Sequence, residues 1–346
     1  MKKALLGLLT SAVAIVLGLG SAFAEGEQKR IDLHGAGATF PAPLYLKWAT
    51  AHGVPNVSIR YDAVGSGEGV KRFIGRSVDF AGSDELLSET EAARVKGGAV
   101  ILPATSGMIV LAYNIPGISG GLRLPRDVYA GIFSGAIQRW DDPRIKLANP
   151  ELQLPPRDIA LVARFDSSGT NAAFTRHLST IDPSWTQQGL GVGKLVEWPK
   201  RAMLAVGNQG VASRIKMSDG SIGYVEYGFA KRLGLPMAAL ENKSGDFVSP
   251  SGDAAQLALS ARDVEPGNLD QSVVDPSAAG AYPIVTYSWL MLYRSYSDPG
   301  KGKALQDFVL WGLTEGQNYA PDLGYVPLSA DVVNLGRQAL GIVQTQ

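Results

Sequence analysis

Cysteine is absent from all 346 residues. That one absence removes disulfides, thiol nucleophiles and thiolate metal sites together. Histidine is scarce: His34, His52 and His177 are the only three, and they lie far apart in the chain. Charge of either sign is in no excess, since 32 Lys and Arg face 32 Asp and Glu. The balance gives no electrostatic reason to expect nucleic acid or a membrane surface as a partner. What the chain has in quantity is glycine, 41 residues, together with 20 prolines. Such punctuation suits many short strand–loop–helix units.

The N-terminus reads as a leader. Lys2 and Lys3 precede an uncharged apolar stretch from Ala4 to Leu19, and Ala22-Phe23-Ala24 offers small residues at the cleavage-determining positions. Cleavage before Glu25 is therefore expected, with residues 1–24 outside the fold. An uncleaved anchor is the competing reading; the short apolar core and the A-x-A ending speak against it. No cysteine follows the apolar run, so a lipid anchor at cysteine is excluded. Removing the leader takes away two lysines and no acid, which leaves a net charge of −2. The remaining chain, long enough for two domains, is read as exported to the periplasm.

One stretch stands out, Arg164-Phe165-Asp166-Ser167-Ser168-Gly169-Thr170-Asn171. It follows the apolar run Ile159 to Val162, read as a buried strand, and precedes a helix-patterned segment from about Ala172. A strand that turns through Ser-Ser-Gly-Thr into a helix presents backbone N–H groups, hydroxyls and the positive end of a helix dipole, which is an anion site in outline. Arg164 adds a full charge and a planar fork of donors.

Similar arrangements recur. Small residues and Thr39-Phe40 precede a helix pattern from Leu44 to Ala51. Strand Val57 to Tyr61 leads into Gly65-Ser66-Gly67-Glu68-Gly69, whose spacing is not the dinucleotide fingerprint. Strand Val78 to Gly82 ends in Ser83-Asp84. Ser88 and Glu91 read as a capping box. Ala99 to Leu102 and Met108 to Tyr113 read as two strands, and Ile284 to Tyr293 as a long apolar one. Gly117 to Gly121 matches G-x-S-x-G, but Gly-Gly and Pro125 follow instead of a helix, so it is a chance match. His177 falls beside the apolar stripe Phe174 and Leu178 and reads as structural.

Repeated strand–loop–helix units indicate an α/β protein whose ligand sits off the carboxyl ends of the strands. Four Ser/Thr-bearing loops at such ends, without a catalytic triad, metal cluster or P-loop, favour a binding pocket for a small, acceptor-rich ligand. Asp84 is the odd member. A carboxylate repels an anion unless the anion brings a proton. Phosphate keeps one near neutral pH and sulfate does not, so Asp84 would select phosphate. Its other role, as a cap or a cation's partner, stays open at this point.

Taken in order, the motifs Gly35 to Pro43, Gly65-Ser66-Gly67, Val78 to Asp84, Tyr113 to Gly117, Trp140-Asp141-Asp142, Arg164 to Thr170, Gly207-Asn208 and Ile222 to Tyr227 resemble the periplasmic phosphate-binding proteins of high-affinity phosphate ABC transporters, over nearly the whole mature chain. The resemblance implies a type II-like two-lobed binding protein. Each lobe would hold a mainly parallel sheet flanked by helices, and two hinge segments would connect the lobes. It places the crossings near Thr105 to Val110 and Tyr282 to Thr286. Lobe I is then 25–106 plus 285–346, and lobe II is 107–284. It implies inorganic phosphate as ligand, held by Thr39, Phe40, Ser66, Asp84, Arg164, Ser168, Gly169 and Thr170, with Phe40 and Gly169 acting through backbone N–H groups. Asp166 would steady Arg164. The implied partners are the permease subunits of the importer with their cytoplasmic ATPase; no cofactor, metal or enzymatic activity is implied, and a monomer is expected. This sequence departs from the family at Gly67 and Glu68, where some members have Ser-Gly, at Ser167 in place of Gly, and at Asn171 in place of Ser. The competing functions are capture of another tetrahedral oxyanion or an organic phosphate, a sensing or adhesion role, and an exported phosphatase, which would need a nucleophile with a base or a metal cluster.

Overall fold

Runs rich in Val, Ile, Leu and aromatic residues form eleven strands in the computed structural model, which describes residues 30–187, 189–260 and 274–345. The expected leader, residues 1–24, lies outside them. The strands are β1 (Ile31–Gly37), β2 (Val57–Ala63), β3 (Phe80–Ser83), β4 (Ala99–Asn114), β5 (Arg123–Leu124), β6 (Ala160–Arg164), β7 (Met203–Ala205), β8 (Ser221–Glu226), β9 (Ala239–Glu241), β10 (Phe247–Val248) and β11 (Val285–Tyr293). Eight of them form one sheet in the order β2-β1-β3-β11-β4-β8-β6-β7, and β10-β9-β5 form a small second sheet. Pairing is parallel at both flanks, β2-β1-β3 and β8-β6-β7, and antiparallel in the middle, where β11 and β4 run. Helices connect the parallel strands, as such crossovers require.

The strand β4 joins the two flanks. Ala99 to Met108 pair with β11, and Ile109 to Asn114 pair with β8. At the change of partner the Ile109 N–H donates to the Ile284 carbonyl at 3.0 Å. The sequence reads as two strands here because Pro103 and the polar Thr105-Ser106-Gly107 interrupt the apolar runs. The structure corrects that to one continuous, almost wholly buried strand. Pro103, which has no N–H to give, is tolerated because the pairing with β11 skips Ala104 in a bulge. Gln317 Nε2 caps the Ala104 carbonyl at 3.0 Å. Ser106 Oγ donates to the Val326 carbonyl at 2.9 Å.

The core on the β1 side is aromatic: Tyr45, Trp48, Tyr61, Phe73, Phe80 and Phe308 are all buried. Phe73 and Tyr293 stack with ring centroids 4.3 Å apart. On the β8 side Phe133, Phe174, Trp198 and Tyr224 pack together, with Phe174 and Tyr224 4.4 Å apart. His177 is buried and hydrogen-bonded to the Tyr129 hydroxyl at 2.9 Å, which bears out its structural assignment. The capping box is also present: Ser88 Oγ accepts from the Glu91 N–H and the Glu91 carboxylate accepts from the Ser88 N–H. No helix of the described residues is long and apolar enough to cross a membrane.

Candidate anion site between the two sheet flanks

The carboxyl ends of β1, β2, β3, β6, β7 and β8 point toward one place, and every residue expected in the site lies at or near it. From the β1 side come Thr39 and Phe40, just ahead of the helix Ala42–Ala51. Ser66 opens the helix Ser66–Ile74, and Asp84 follows β3 directly. From the other side come Arg164, the last residue of β6, and Ser168, Gly169 and Thr170, which begin the helix Gly169–Ile181. That helix starts earlier than Ala172 because Ser168 caps it, its Oγ accepting from the Asn171 N–H at 3.1 Å.

The two groups touch. Ser66 Oγ accepts from the Gly169 N–H at 3.0 Å and from the Asp84 N–H at 3.4 Å. Thr170 Oγ1 donates to Asp84 Oδ2 at 3.0 Å. A Cβ on Gly169 would stand 2.7 Å from both Asp84 Cβ and Ser66 Oγ, so this approach requires glycine. Gly67 donates its N–H to the Ser167 carbonyl at 3.0 Å. A Cβ on Gly67 would fall 2.1 Å from Ser167 Oγ, so the side chain gained at 167 occupies the space given up at 67. Glu68 turns away toward Arg72, with Arg72 Nε donating to Glu68 Oε1 at 2.9 Å, and so belongs to an ion pair within its helix.

Arg164 is 3% exposed. Its Nε and Nη2 donate to the Asp166 carboxylate at 2.8 and 2.5 Å, a bidentate fork that fixes the plane of the guanidinium. The Gly207 N–H donates to Asp166 Oδ1 at 3.0 Å. Burial alone would raise the Asp166 pKa, but the charge and hydrogen bonds of Arg164, with Gly207, hold it below the usual carboxylate range. Arg164 Nη1 is buried and has no hydrogen-bond partner among the described residues. A buried guanidinium N–H without an acceptor is costly, and an anion is its natural partner.

Two hydroxyls are arranged as donors in the same way. Thr39 Oγ1 accepts from the backbone N–H and the Nδ2 of Asn208, at 3.1 and 3.0 Å. Ser66 Oγ accepts the two amides already named. With their lone pairs so engaged, both oxygens have their own hydrogen left to give. Phe40 is buried, with its carbonyl accepting from the Tyr325 hydroxyl at 2.6 Å.

Asp84 supplies the one carboxylate among these donors. It is 4% exposed, and Ser288 Oγ donates to its Oδ1 at 2.8 Å. Burial pushes its carboxyl up to about 6, against the opposing pull of Ser288, Thr170 and the Arg164 charge. A ring of donors with a single carboxylate suits an oxyanion that itself carries a proton. Among the described residues Asp84 caps no helix; its carboxylate accepts from Ser288 and Thr170.

Three partners escaped the sequence reading. Ser288 is a serine inside the wholly buried strand β11, and a buried hydroxyl needs a hydrogen-bond partner. Asn208 ties Thr39 to Thr170, its Nδ2 lying 3.3 Å from Thr170 Oγ1, while its Oδ1 accepts from the Glu226 N–H at 2.9 Å. The only signal was its place in the Gly207-Asn208 motif, to which the sequence attached no role. Tyr224 accepts the Arg164 N–H at 3.0 Å and donates to Asn171 Oδ1 at 2.5 Å, which gives buried Asn171 a bracing role. Among the described residues, no group of three or more His, Cys, Asp or Glu could hold a metal ion.

A family model for the PBP superfamily domain matches residues 23–315. The phosphate-binding protein PstS of Haemophilus influenzae is 37% identical over 311 residues, covering 88% of this chain and 90% of its own. The chain belongs to the PstS phosphate-binding protein family. The PstS protein of Methanocaldococcus jannaschii is 36% identical over 361 residues, covering 96% of this chain and 92% of its own. Among solved structures, a high-affinity periplasmic phosphate-binding protein (PfluDING) bound with phosphate superposes with a TM-score of 0.74 at 23% identity, over 89% of this chain and 93% of that one. A phosphate-binding protein from Stenotrophomonas maltophilia gives 0.71 at 23% identity, over the same shares. The fold is therefore that of the two-lobed periplasmic phosphate-binding proteins.

Proposed function

We propose that this protein captures inorganic phosphate between its two lobes and delivers it to an ABC-type phosphate importer, without catalysing a reaction. The observation that carries this is the buried Nη1 of Arg164, whose natural acceptor is an anion and which shares its site with Asp84, the carboxylate that Arg164 does not itself pair with. Arg164 supplies the charge. Thr39, Ser66, Ser168 and Thr170 supply hydroxyls, and Phe40 and Gly169 supply backbone N–H groups. Asp166 holds Arg164 in plane. Asp84 accepts the proton that phosphate retains and rejects the fully ionised sulfate, because two acceptors facing each other in a dry site cost several kcal/mol relative to a matched pair.

The lobes are residues 25–106 with 285–346, and residues 107–284, after a cleaved leader of residues 1–24. The change of partner along β4 at Met108 and Ile109, beside Ile284, supports crossings at Thr105 to Val110 and Tyr282 to Thr286. Ligands from both lobes couple phosphate binding to hinge closure, and the closed form is the one that the permease subunits recognise. The protein acts in the periplasm as a monomer, free of a lipid anchor.

Equilibrium dialysis of residues 25–346 against radiolabelled phosphate tests the ligand, with one molecule bound per chain expected. Phosphate-dependent stimulation of a reconstituted permease–ATPase complex by the loaded protein tests delivery. Turnover of a chromogenic phosphate ester by pure protein would instead favour a phosphatase.

A further inference from the structure

Among the described residues, two ion pairs cross between the flanks of the site without contributing a ligand. Arg176, on the helix Gly169–Ile181, pairs with Glu85 beside Asp84. Lys194 Nζ lies 2.9 and 3.1 Å from the two carboxylate oxygens of Glu91. The second pair is the more informative because neither partner adjoins a ligand in sequence.

Lys194 belongs to a segment bound directly to the anion turn. Its carbonyl accepts the Ser168 N–H at 2.8 Å. The neighbouring Gly193 carbonyl accepts from Asn171 Nδ2 at 2.7 Å, and the Gly193 N–H donates to Thr175 Oγ1 at 3.2 Å. Main-chain and side-chain bonds therefore fasten residues 193–194 to the start of the anion-site helix. The Lys194 side chain then reaches across to Glu91, where the capping box already holds the carboxylate through the Ser88 N–H at 2.9 Å. Side-chain exposures of 16% and 26% put this pair between a solvated surface bridge and a buried one. Burial opposes ionisation of Glu91, but Ser88 and Lys194 hold its pKa below the usual range, so its carboxylate is ionised at neutral pH.

We propose that Lys194 and Glu91 form an electrostatic latch that holds the loaded cleft shut and sets the rate of phosphate release. The latch rests on the phosphate-binding function proposed above. It acts on the closed form alone, because opening the cleft separates Lys194, fixed to the Ser168–Asn171 turn, from Glu91. Both are positioning residues. They leave phosphate capture by the open form untouched and slow escape from the closed one.

The test is stopped-flow measurement of phosphate dissociation and association for the wild type, Glu91→Gln, Lys194→Met and the double variant, at low and high salt. Glutamine still completes the capping box, so Glu91→Gln removes the charge and keeps the helix start. Each single variant is expected to release phosphate about tenfold faster with an unchanged association rate, and the double variant no faster than either single one. The salt dependence of wild-type release is expected to shrink in all three. Thermal stability of the phosphate-free protein is expected to stay the same for Glu91→Gln. Wild-type binding with unaltered release in the variants, or additive effects in the double variant, overturns the latch alone. Absence of saturable phosphate binding by the wild type overturns both the latch and the function on which it rests.

Discussion

The tasks proposed for Asp84 and Arg164 are opposite ones within one small volume, and each can be tested separately. Replacing Arg164 with alanine removes the only full positive charge with a buried, unanswered N–H among the described residues. Phosphate affinity is expected to fall by about 2–5 kcal/mol, or roughly 30- to 5,000-fold, as read by calorimetry. The wild type is expected to reject sulfate and Asp84→Asn to admit it; continued rejection by a folded variant would remove Asp84 from the selectivity mechanism. The same substitution has a signature in stability. Burial raises the Asp84 pKa in the folded state to about 6, from 3.8. The group's favourable contribution is therefore fully present below about pH 4 and is lost as pH rises through 6, a change of about 3 kcal/mol. In the phosphate-free protein, urea melts of wild type and Asp84→Asn are expected to differ by a pH-dependent amount that grows across this window in favour of the variant.

Among the secondary-structure elements, the anion turn and the glycine loops opposite it depend on close approach. Gly169→Ala introduces a Cβ 2.7 Å from Asp84 Cβ, and relief requires the two flanks to part. Phosphate affinity is expected to fall at least about 100-fold, with little loss of helix, because alanine is the better helix former. Gly67→Ala is expected to weaken binding when Ser167 is present, and Ser167→Gly to restore it, since the clash is with Ser167 Oγ. Equal affinity in the single and double variants, by calorimetry, would show that the contact is slack. The helix and strand positions were legible because each signal was local: Ser88 and Glu91 announce a cap, and apolar runs announce strands. An anion turn could be expected for the same reason, since Arg164 and Ser168 to Thr170 lie within seven residues, whereas the task given to Asp166 came from the family resemblance. The continuity of β4 was hidden because Pro103 is accommodated by a bulge at Ala104, whose carbonyl is capped by Gln317, 213 residues further along the chain from Ala104. Ser288 and Asn208 were hidden likewise, as their partners Asp84 and Thr39 are distant in sequence and no local pattern encodes a long-range hydrogen bond.

For the whole molecule, the arrangement of the sheet gives the site its meaning. Parallel strands on both flanks aim their carboxyl ends at one another, and β4 and β11 run between them, so motion about these two strands changes the distance from Ser66 to Gly169 and from Asp84 to Thr170 at once. Phosphate binding is expected to reduce the radius of gyration measured by small-angle scattering; Gly169→Ala is expected to blunt that change. One phosphate, gripped by Arg164 and chosen by Asp84, is expected in the cleft. Calorimetric titration of residues 25–346 with phosphate and with sulfate near pH 7 decides this. Saturation by one phosphate per chain, with no sulfate heat and with the phosphate heat lost in Arg164→Ala, is the expected result. Equal affinity for the two anions, or phosphate binding undiminished in Arg164→Ala, would contradict it.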